Sequence, residues 1–499
     1  MNNHTRDVEQ PTEATPLLSG RIGHALDASD VPSLPEVEPV VIQLRQKGIG
    51  SFSLTDLVCP QPLTTDAARA AFSLNVLLET RARLGRKASG TREIWEQWAS
   101  ERQSSSWKEE LDRHILLVWS EFLHEQRTSE EIAEVLWLAF PLKAGHGPML
   151  RVTQFLASGQ VPEDLLSHRV VLLCVIKTWK YGLPGKSNPM ILSRFDSVAT
   201  PRVLHTVDLL LYAMYLGLLV HFVLLPSAPS TGSLKASKLD IRVLCLMLYS
   251  GSRLLKTWSL RSVPFFLVLL AFLNHIPSVP SPDDLAYHVL LYAFSWHVIE
   301  LHLPLTPTPL VYLPFHQTLP LAVLIWHGIS RIFLPVIAFF LPAMLVSLAI
   351  LSLSMRDILD IGFITTYAPA PMQARTAFVA LFCVTLLLLL SSLVILVLTY
   401  PSFSLHPSMD PWDRYSKSVG LQARIALVRV VSIYVGPYIF PCPMNILQFA
   451  LRIPHMVAML MGKAALAHKV SAAERTVWRL AVGPLMLIVA APWLWNRTT

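Results

Sequence analysis

The sequence predicts an all-α fold, a polytopic helical membrane protein with about six transmembrane helices behind a helical N-terminal domain. Three observations lead there. Only 15% of the 499 residues are charged and 53% are hydrophobic, with a mean hydropathy of +0.46; a soluble domain carries about a quarter charged residues. The shortage is uneven, because the first 200 residues have near-normal charge while long stretches between 203 and 400 have almost none. Several of those stretches approach the roughly 20 apolar residues that a helix needs to cross a bilayer.

Residues 1–35 are polar, contain proline and read as a disordered tail. No apolar run follows the initiator Met, so no cleaved signal peptide is expected. From 36 to 200 the pattern is helical. Thr128 and Glu131 have capping-box spacing, and Ile132, Val135, Leu136 and Phe140 follow at helical intervals. Trp95, Trp98, Trp107 and Trp119 recur nearby and are expected to pack in a core rather than line a ligand site. Residues 170–179 are apolar but too short to span, which makes 36–200 a helical cytosolic domain.

The transmembrane domain is expected over 201–400. Its segments are 203–225, 240–258, 263–276, 285–305, 332–355 and 376–400, the last two free of charge. The stretch 309–329 is apolar but Pro-rich, with Pro309, Pro314 and Pro320 following Pro307, and reads as a linker in the interface or half inserted. Arg253, Lys256 and Arg261 follow the second segment, and Arg414, Lys417, Arg424 and Arg429 follow the sixth. The loop 274–284 has no Lys or Arg. Counting basic residues by loop puts both termini in the cytosol, although Lys235 and Lys238 fall on the other side. The region 401–499 is then cytosolic, with a terminal apolar segment, 477–495, that is a seventh span or an interfacial helix.

Several stretches, in order, resemble the fungal vacuolar TRP-like calcium-permeable cation channel family. The run 201–217, ending Leu211-Tyr212-Ala213-Met214-Tyr215-Leu216-Gly217, is similar to that family's entry into its first span. Asp284-Leu285-Ala286-Tyr287-His288-Val289-Leu290-Leu291-Tyr292-Ala293-Phe294-Ser295 resembles the start of its fourth, and 329–351 its linker and fifth. Tyr438-Ile439-Phe440-Pro441-Cys442-Pro443-Met444-Asn445-Ile446-Leu447 is similar to a phrase that precedes a short apolar helix, and Gly483-Pro484-Leu485-Met486-Leu487 to the terminal hydrophobic patch. The resemblance implies a six-span cation channel subunit, calcium transport, a homo-tetramer and a vacuolar or other endomembrane. Glu13, Leu17 and Leu18 resemble a dileucine sorting signal for the same route.

A cation pathway needs oxygen ligands or an acidic ring at its mouth to replace hydration. Asp357 and Asp360 are the carboxylates between the fifth and sixth segments, and are either that ring or solvated loop acids. Only about 20 residues separate those segments, short for a pore helix and its return at membrane depth. The alternative is a non-conducting accessory or scaffolding membrane protein of the same family. Ionisable groups within spans are functional candidates by default: Asp208, Arg253, His297, Glu300 and His302. Arg253 and Lys256 read as snorkelling side chains. His297 and Glu300 share a helix face, but a span end near headgroups explains the trio better than a metal, and neither metal nor cofactor is expected.

The +7 charge lies mostly in loops beside apolar segments, without the basic, aromatic-interleaved cluster of a nucleic-acid binder, and no nucleic acid partner is expected. Phosphate-binding glycine loops, His-Glu-x-x-His and Gly-x-Ser-x-Gly are missing, so no enzyme is expected. The five cysteines lack paired spacing and read as reduced, buried thiols.

Overall fold

The computed structural model describes residues 34–47, 65–86, 94–143, 148–183, 195–224, 241–256, 262–274, 284–300, 309–328, 410–436 and 438–498, with a few isolated positions elsewhere. The described residues are overwhelmingly helical, as expected for an all-α chain; the strands among them are the two-residue pair Phe140–Pro141 and Met149–Leu150. Residues 1–301 with 424–499 form one compact unit, and 302–423 form a second.

The N-terminal part of the first unit is built around α2 (Asp66–Arg86), which packs against α1 (Glu38–Lys47), α3 (Ile94–His124) and α4 (Ser129–Trp137). Phe72, Leu74, Val76, Leu77 and Leu78 of α2 are buried. Its buried polar groups bond back along the helix, Asn75 Nδ2 to the Ala71 carbonyl and Thr80 Oγ1 to that of Val76. Arg81 grips Asp112 with two nitrogens, 2.5 and 3.2 Å, and joins α2 to α3. The expected capping box is present: Thr128 Oγ1 accepts from the Glu131 amide and the Glu131 carboxylate from the Thr128 amide.

The short helices α5 (Val152–Ser158) and α6 (Glu163–Ser167) lead into α7 (Arg169–Tyr181), which buries Val171, Cys174, Val175, Thr178 and Trp179. The segment 170–179 is thus a core helix. Core packing also holds for Trp119, which is buried, but not for Trp95 and Trp98, which are 77% and 52% exposed at the start of α3. That expectation is corrected: α3 is 31 residues long and buries its C-terminal half, with Leu111, Ile115, Trp119 and Phe122, under α2.

Four helices follow: α8 (Pro201–Leu224), α9 (Ile241–Lys256), α10 (Val263–Leu273) and α11 (Leu285–Glu300). Their contacts fix an up-down-up-down bundle. His221 near the end of α8 meets Arg242 at the start of α9, while Asp208 near the start of α8 meets Arg253 at the end of α9. Phe222 packs on Phe272, and Tyr287 Oη donates to the Val223 carbonyl at 2.6 Å. Among the described residues α8 alone is a single helix long and apolar enough to cross a bilayer. At about 1.5 Å per residue its 24 residues give roughly 36 Å.

In the second unit, a 3-10 turn (Pro309–Tyr312) leads into α12 (Phe315–Gly328), with Pro320 inside the helix. Proline there removes the amide that would bond the His316 carbonyl. The segments 332–355 and 376–400 lie almost wholly outside the described residues, as do Asp357, Asp360, His302, Glu13, Leu17 and Leu18. After them come α13 (Lys417–Tyr434), α14 (Asn445–Leu460), α15 (Ala464–Ala481) and α16 (Gly483–Thr498). The last two pass the same length and apolarity test only as a pair, bent by 53°.

His168 caps α7 by accepting from the Val170 amide at Nδ1, 3.3 Å, and its ring meets Trp119 edge-on. Burial pushes its pKa below the ordinary 6.5. The unfolded chain therefore takes up a proton that the fold resists, and stability falls as pH drops below about 6.5. His168→Asn keeps a capping oxygen but cannot titrate. Thermal unfolding of the full chain between pH 7.5 and 5 should show a weaker acid dependence for this variant than for the parent.

Candidate functional site

The candidate site is the polar interior of the α8–α11 bundle. Helical period 3.6 puts His205, Asp208, Tyr212 and Tyr215 of α8 on one stripe, and all four are buried. On α9, Leu246, Tyr249, Ser250 and Arg253 form the facing stripe. Phe265 of α10 and His297 and Glu300 of α11 complete the lining, His297 and Glu300 on the shared face that their spacing predicts.

Two layers make up this interior. In the first, Asp208 Oδ2 lies 3.9 Å from the Arg253 guanidinium and accepts a 2.8 Å hydrogen bond from Tyr434 Oη of α13. Its Oδ1 has no hydrogen-bond partner among the described residues. The Tyr434 ring meets His205 edge-on at 5.3 Å, and His205 in turn packs on Trp179 of α7. Three parts of the chain thus converge on one carboxylate. Breaking such a buried pair by removing one partner destabilises by about 3–5 kcal/mol, because the other charge is left uncompensated.

In the second layer, both ring nitrogens of His297 meet tyrosine hydroxyls: Tyr212 at 3.0 Å on Nδ1 and Tyr215 at 3.3 Å on Nε2. A neutral imidazole donates at one nitrogen and accepts at the other, so one tyrosine must donate and the other accept. Tyr215 Oη also meets Ser250 Oγ at 3.2 Å. Tyr215 and Tyr249 stack at 4.5 Å, and Phe265 stands edge-on to His297 at 4.4 Å. The result is a hydrogen-bonded aromatic plug.

The outside of the bundle has the opposite character. Leu210, Met214, Leu244, Leu248, Phe266, Leu270 and Leu273 point away from it and are exposed. Polar groups of α8, α9 and α11 thus lie inside, among apolar side chains such as Leu219, Phe222, Val268 and Leu290, while the outside is apolar.

Below the bundle, α13 reaches two other places. Arg429 donates to the Ala157 carbonyl at 3.1 Å, and Ile425 packs on Gly159, whose φ of +73° ends α5. A Cβ on Gly159 would stand 3.0 Å from Ile425 Cδ1, besides being strained at that φ. The stretch 438–447 closes on the bundle: Cys442 is buried against its core, and Asn445 donates to the Ser252 carbonyl at 2.7 Å. Arg479 of α15 holds Asp196 with two bonds, 2.9 and 2.6 Å, and Tyr438 donates to the same carboxylate at 3.3 Å.

Two sequence readings change. Arg253 does not snorkel: its side chain turns into the bundle toward Asp208 and Phe265. His297 and Glu300, read as a span end near headgroups, are buried among helices at the C-terminal end of α11. The cysteines are free, and Cys174 and Cys442 are buried, but Cys245 and Cys383 are exposed, against the expectation of burial. Burial raises the Cys174 thiol to about 11, which keeps it protonated and unreactive. No group of three or more His, Cys, Asp or Glu side chains able to hold a metal occurs among the described residues. Tyr212, Tyr215, Tyr249 and Tyr434 were not singled out from the sequence. The signal was there on α8, a polar stripe at 205, 208, 212 and 215 inside an apolar run.

No protein-family model matches the chain, and no characterised protein matches it in sequence.

Tyr434 and Tyr438 give a paired test. Tyr434→Phe strips the buried Asp208 carboxylate of its one short hydrogen bond, and a group left unsatisfied in this way costs about 1–3 kcal/mol. Tyr438→Phe should cost less, because Arg479 still holds Asp196. Denaturant unfolding of the purified chain should rank the variants in that order.

Proposed function

We propose that the chain is a polytopic membrane protein, with about six crossings and both termini cytosolic, that serves as a TRP-like cation channel subunit of a vacuolar or other endomembrane. The observation that carries the membrane reading is the apolar exterior of α8–α10 around an interior that also holds Asp208, Arg253, His297 and Glu300. In water, so many exposed leucines around a core that also buries Asp, His and Tyr would be unfavourable. In lipid the arrangement is the stable one, because charged and hydroxyl-bearing side chains turn inward to find partners.

Three features support the channel reading. The up-down-up-down bundle returns the chain to its starting side before the linker helix α12 and the two uncharged segments 332–355 and 376–400, the order of the family that the sequence resembles. The helix following those segments, α13, ends against Asp208 at the base of the first span. It also touches α5 of the N-terminal domain, so displacement of the last span would be felt at both places. In a homo-tetramer Asp357 and Asp360 would each repeat four times around an axis and form acidic rings for a cation, calcium included.

The second reading, a non-conducting accessory protein of the same build, rests on the roughly 20 residues between 355 and 376, which leave little chain for a filter that must be shielded from lipid.

Recording from enlarged vacuoles that carry the chain, with calcium and potassium gradients across the membrane, separates the two. A cation current absent from control vacuoles is expected, reduced or altered in selectivity by Asp357→Asn and Asp360→Asn. Silence after delivery is verified, under calcium and stretch stimulation, would decide for the accessory reading. A current indifferent to both substitutions would remove these acids from the permeation path.

A further inference from the structure

The helical hairpin α14–α15 presents a surface that the bundle does not use. Along α14 the polar residues face the partner helix: Gln448 donates to Glu474 of α15 at 3.0 Å, and Arg452 lies 3.9 Å from the same carboxylate. One face of α14 is apolar and exposed, with Phe449, Ile453, Met456 and Val457 half in the open. At the turn Leu460 is 85% exposed, followed by exposed Met461. Gly462 then takes φ +68° to reverse the chain into Lys463.

We propose that this hairpin is a membrane-surface anchor, lying in the headgroup region of an anionic leaflet with the α14 apolar face and the Leu460-Met461 tip in the acyl boundary. Two further observations select a lipid surface over a protein partner. The first is charge. Within the hairpin Arg452, Lys463, Lys469, Arg475 and Arg479 stand against the single acid Glu474. With Arg452 paired to Glu474 and Arg479 to Asp196, the excess lies in Lys463, Lys469 and Arg475, the balance that draws a segment to anionic lipid. The second is depth. Asn445, the first residue of α14, bonds Ser252 at the charged end of α9, next to Arg253 and Lys256. Arg202, at the same end of α8, stacks at 4.2 Å on Trp493 of α16. The hairpin therefore starts where spans 1 and 2 leave the hydrocarbon on the proposed cytosolic side. A surface helix with an apolar face, set at that level, meets lipid headgroups.

The inference rests on the membrane reading of α8–α11, and the test keeps the two apart. The full chain, with Cys59, Cys245 and Cys383 changed to serine, is spin-labelled singly through Ile453→Cys, Met456→Cys or Leu460→Cys. Met214→Cys on the outer face of α8 serves as reference. Collision rates with oxygen and with a water-soluble nickel reagent are measured in nanodiscs of phosphatidylcholine, with and without phosphatidylserine.

The expected result is oxygen access exceeding nickel access at all three hairpin positions, with greater depth when phosphatidylserine is present. Nickel access dominating there while Met214→Cys remains in lipid would overturn the anchor alone. Nickel access at Met214→Cys as well would overturn the membrane reading with it. Shielding from both reagents would mean a protein surface, a second copy included, and equal depth in both lipid mixtures would refute the anionic preference.

Discussion

The ion pair between Asp208 and Arg253 is the constraint on which the rest of the arrangement hangs. A carboxylate near the start of one apolar helix and a guanidinium near the end of the next are each unfavourable in a low-dielectric interior. Together they fix which ends of α8 and α9 meet and therefore that the helices run antiparallel. The pairing at 3.9 Å is too long to satisfy Asp208 fully, and Tyr434 supplies the short bond that completes its Oδ2. A side chain more than 200 positions downstream is thus needed to finish a site on α8.

That dependence links structure to the proposed function. The end of α13 is held between Asp208 and the Ala157 carbonyl, with Ile425 on Gly159. The same helix follows the uncharged segments that would line a pore. The tyrosine and histidine layer above makes the bundle stiff, since His297 is held at both nitrogens and flanked by stacked rings.

Much of this was legible in the sequence, for reasons that differ by element. The first apolar segment, read as 203–225, is α8 at Pro201–Leu224, because a run that long without a helix breaker admits one structure. Thr128 and Glu131 cap α4 as expected, since that box is a local interaction complete within four residues. The tryptophans misled at Trp95 and Trp98 because spacing identifies a face but not which half of a long helix has a partner. Arg253 was read as snorkelling because a basic residue near a span end ordinarily does so; its true partner lies on another helix. Asp208, Arg253, His297 and Glu300 were each identified, one by one, as ionisable groups inside expected spans. What the sequence did not disclose was the tyrosine hydroxyls that join them, because tyrosine in an apolar helix reads as one more aromatic packing residue.

The central claim, that a buried Asp208–Arg253 pair organises the bundle, is most directly tested by a double-mutant cycle on the full chain in lipid nanodiscs. Stability is followed by unfolding for the parent, Asp208→Asn, Arg253→Met and the double variant. The account predicts that each single change destabilises by about 3–5 kcal/mol and that the double variant loses far less than their sum, since removing both charges leaves none uncompensated. Losses that simply add would show that the two side chains act independently, and the pair would no longer explain how the helices are arranged.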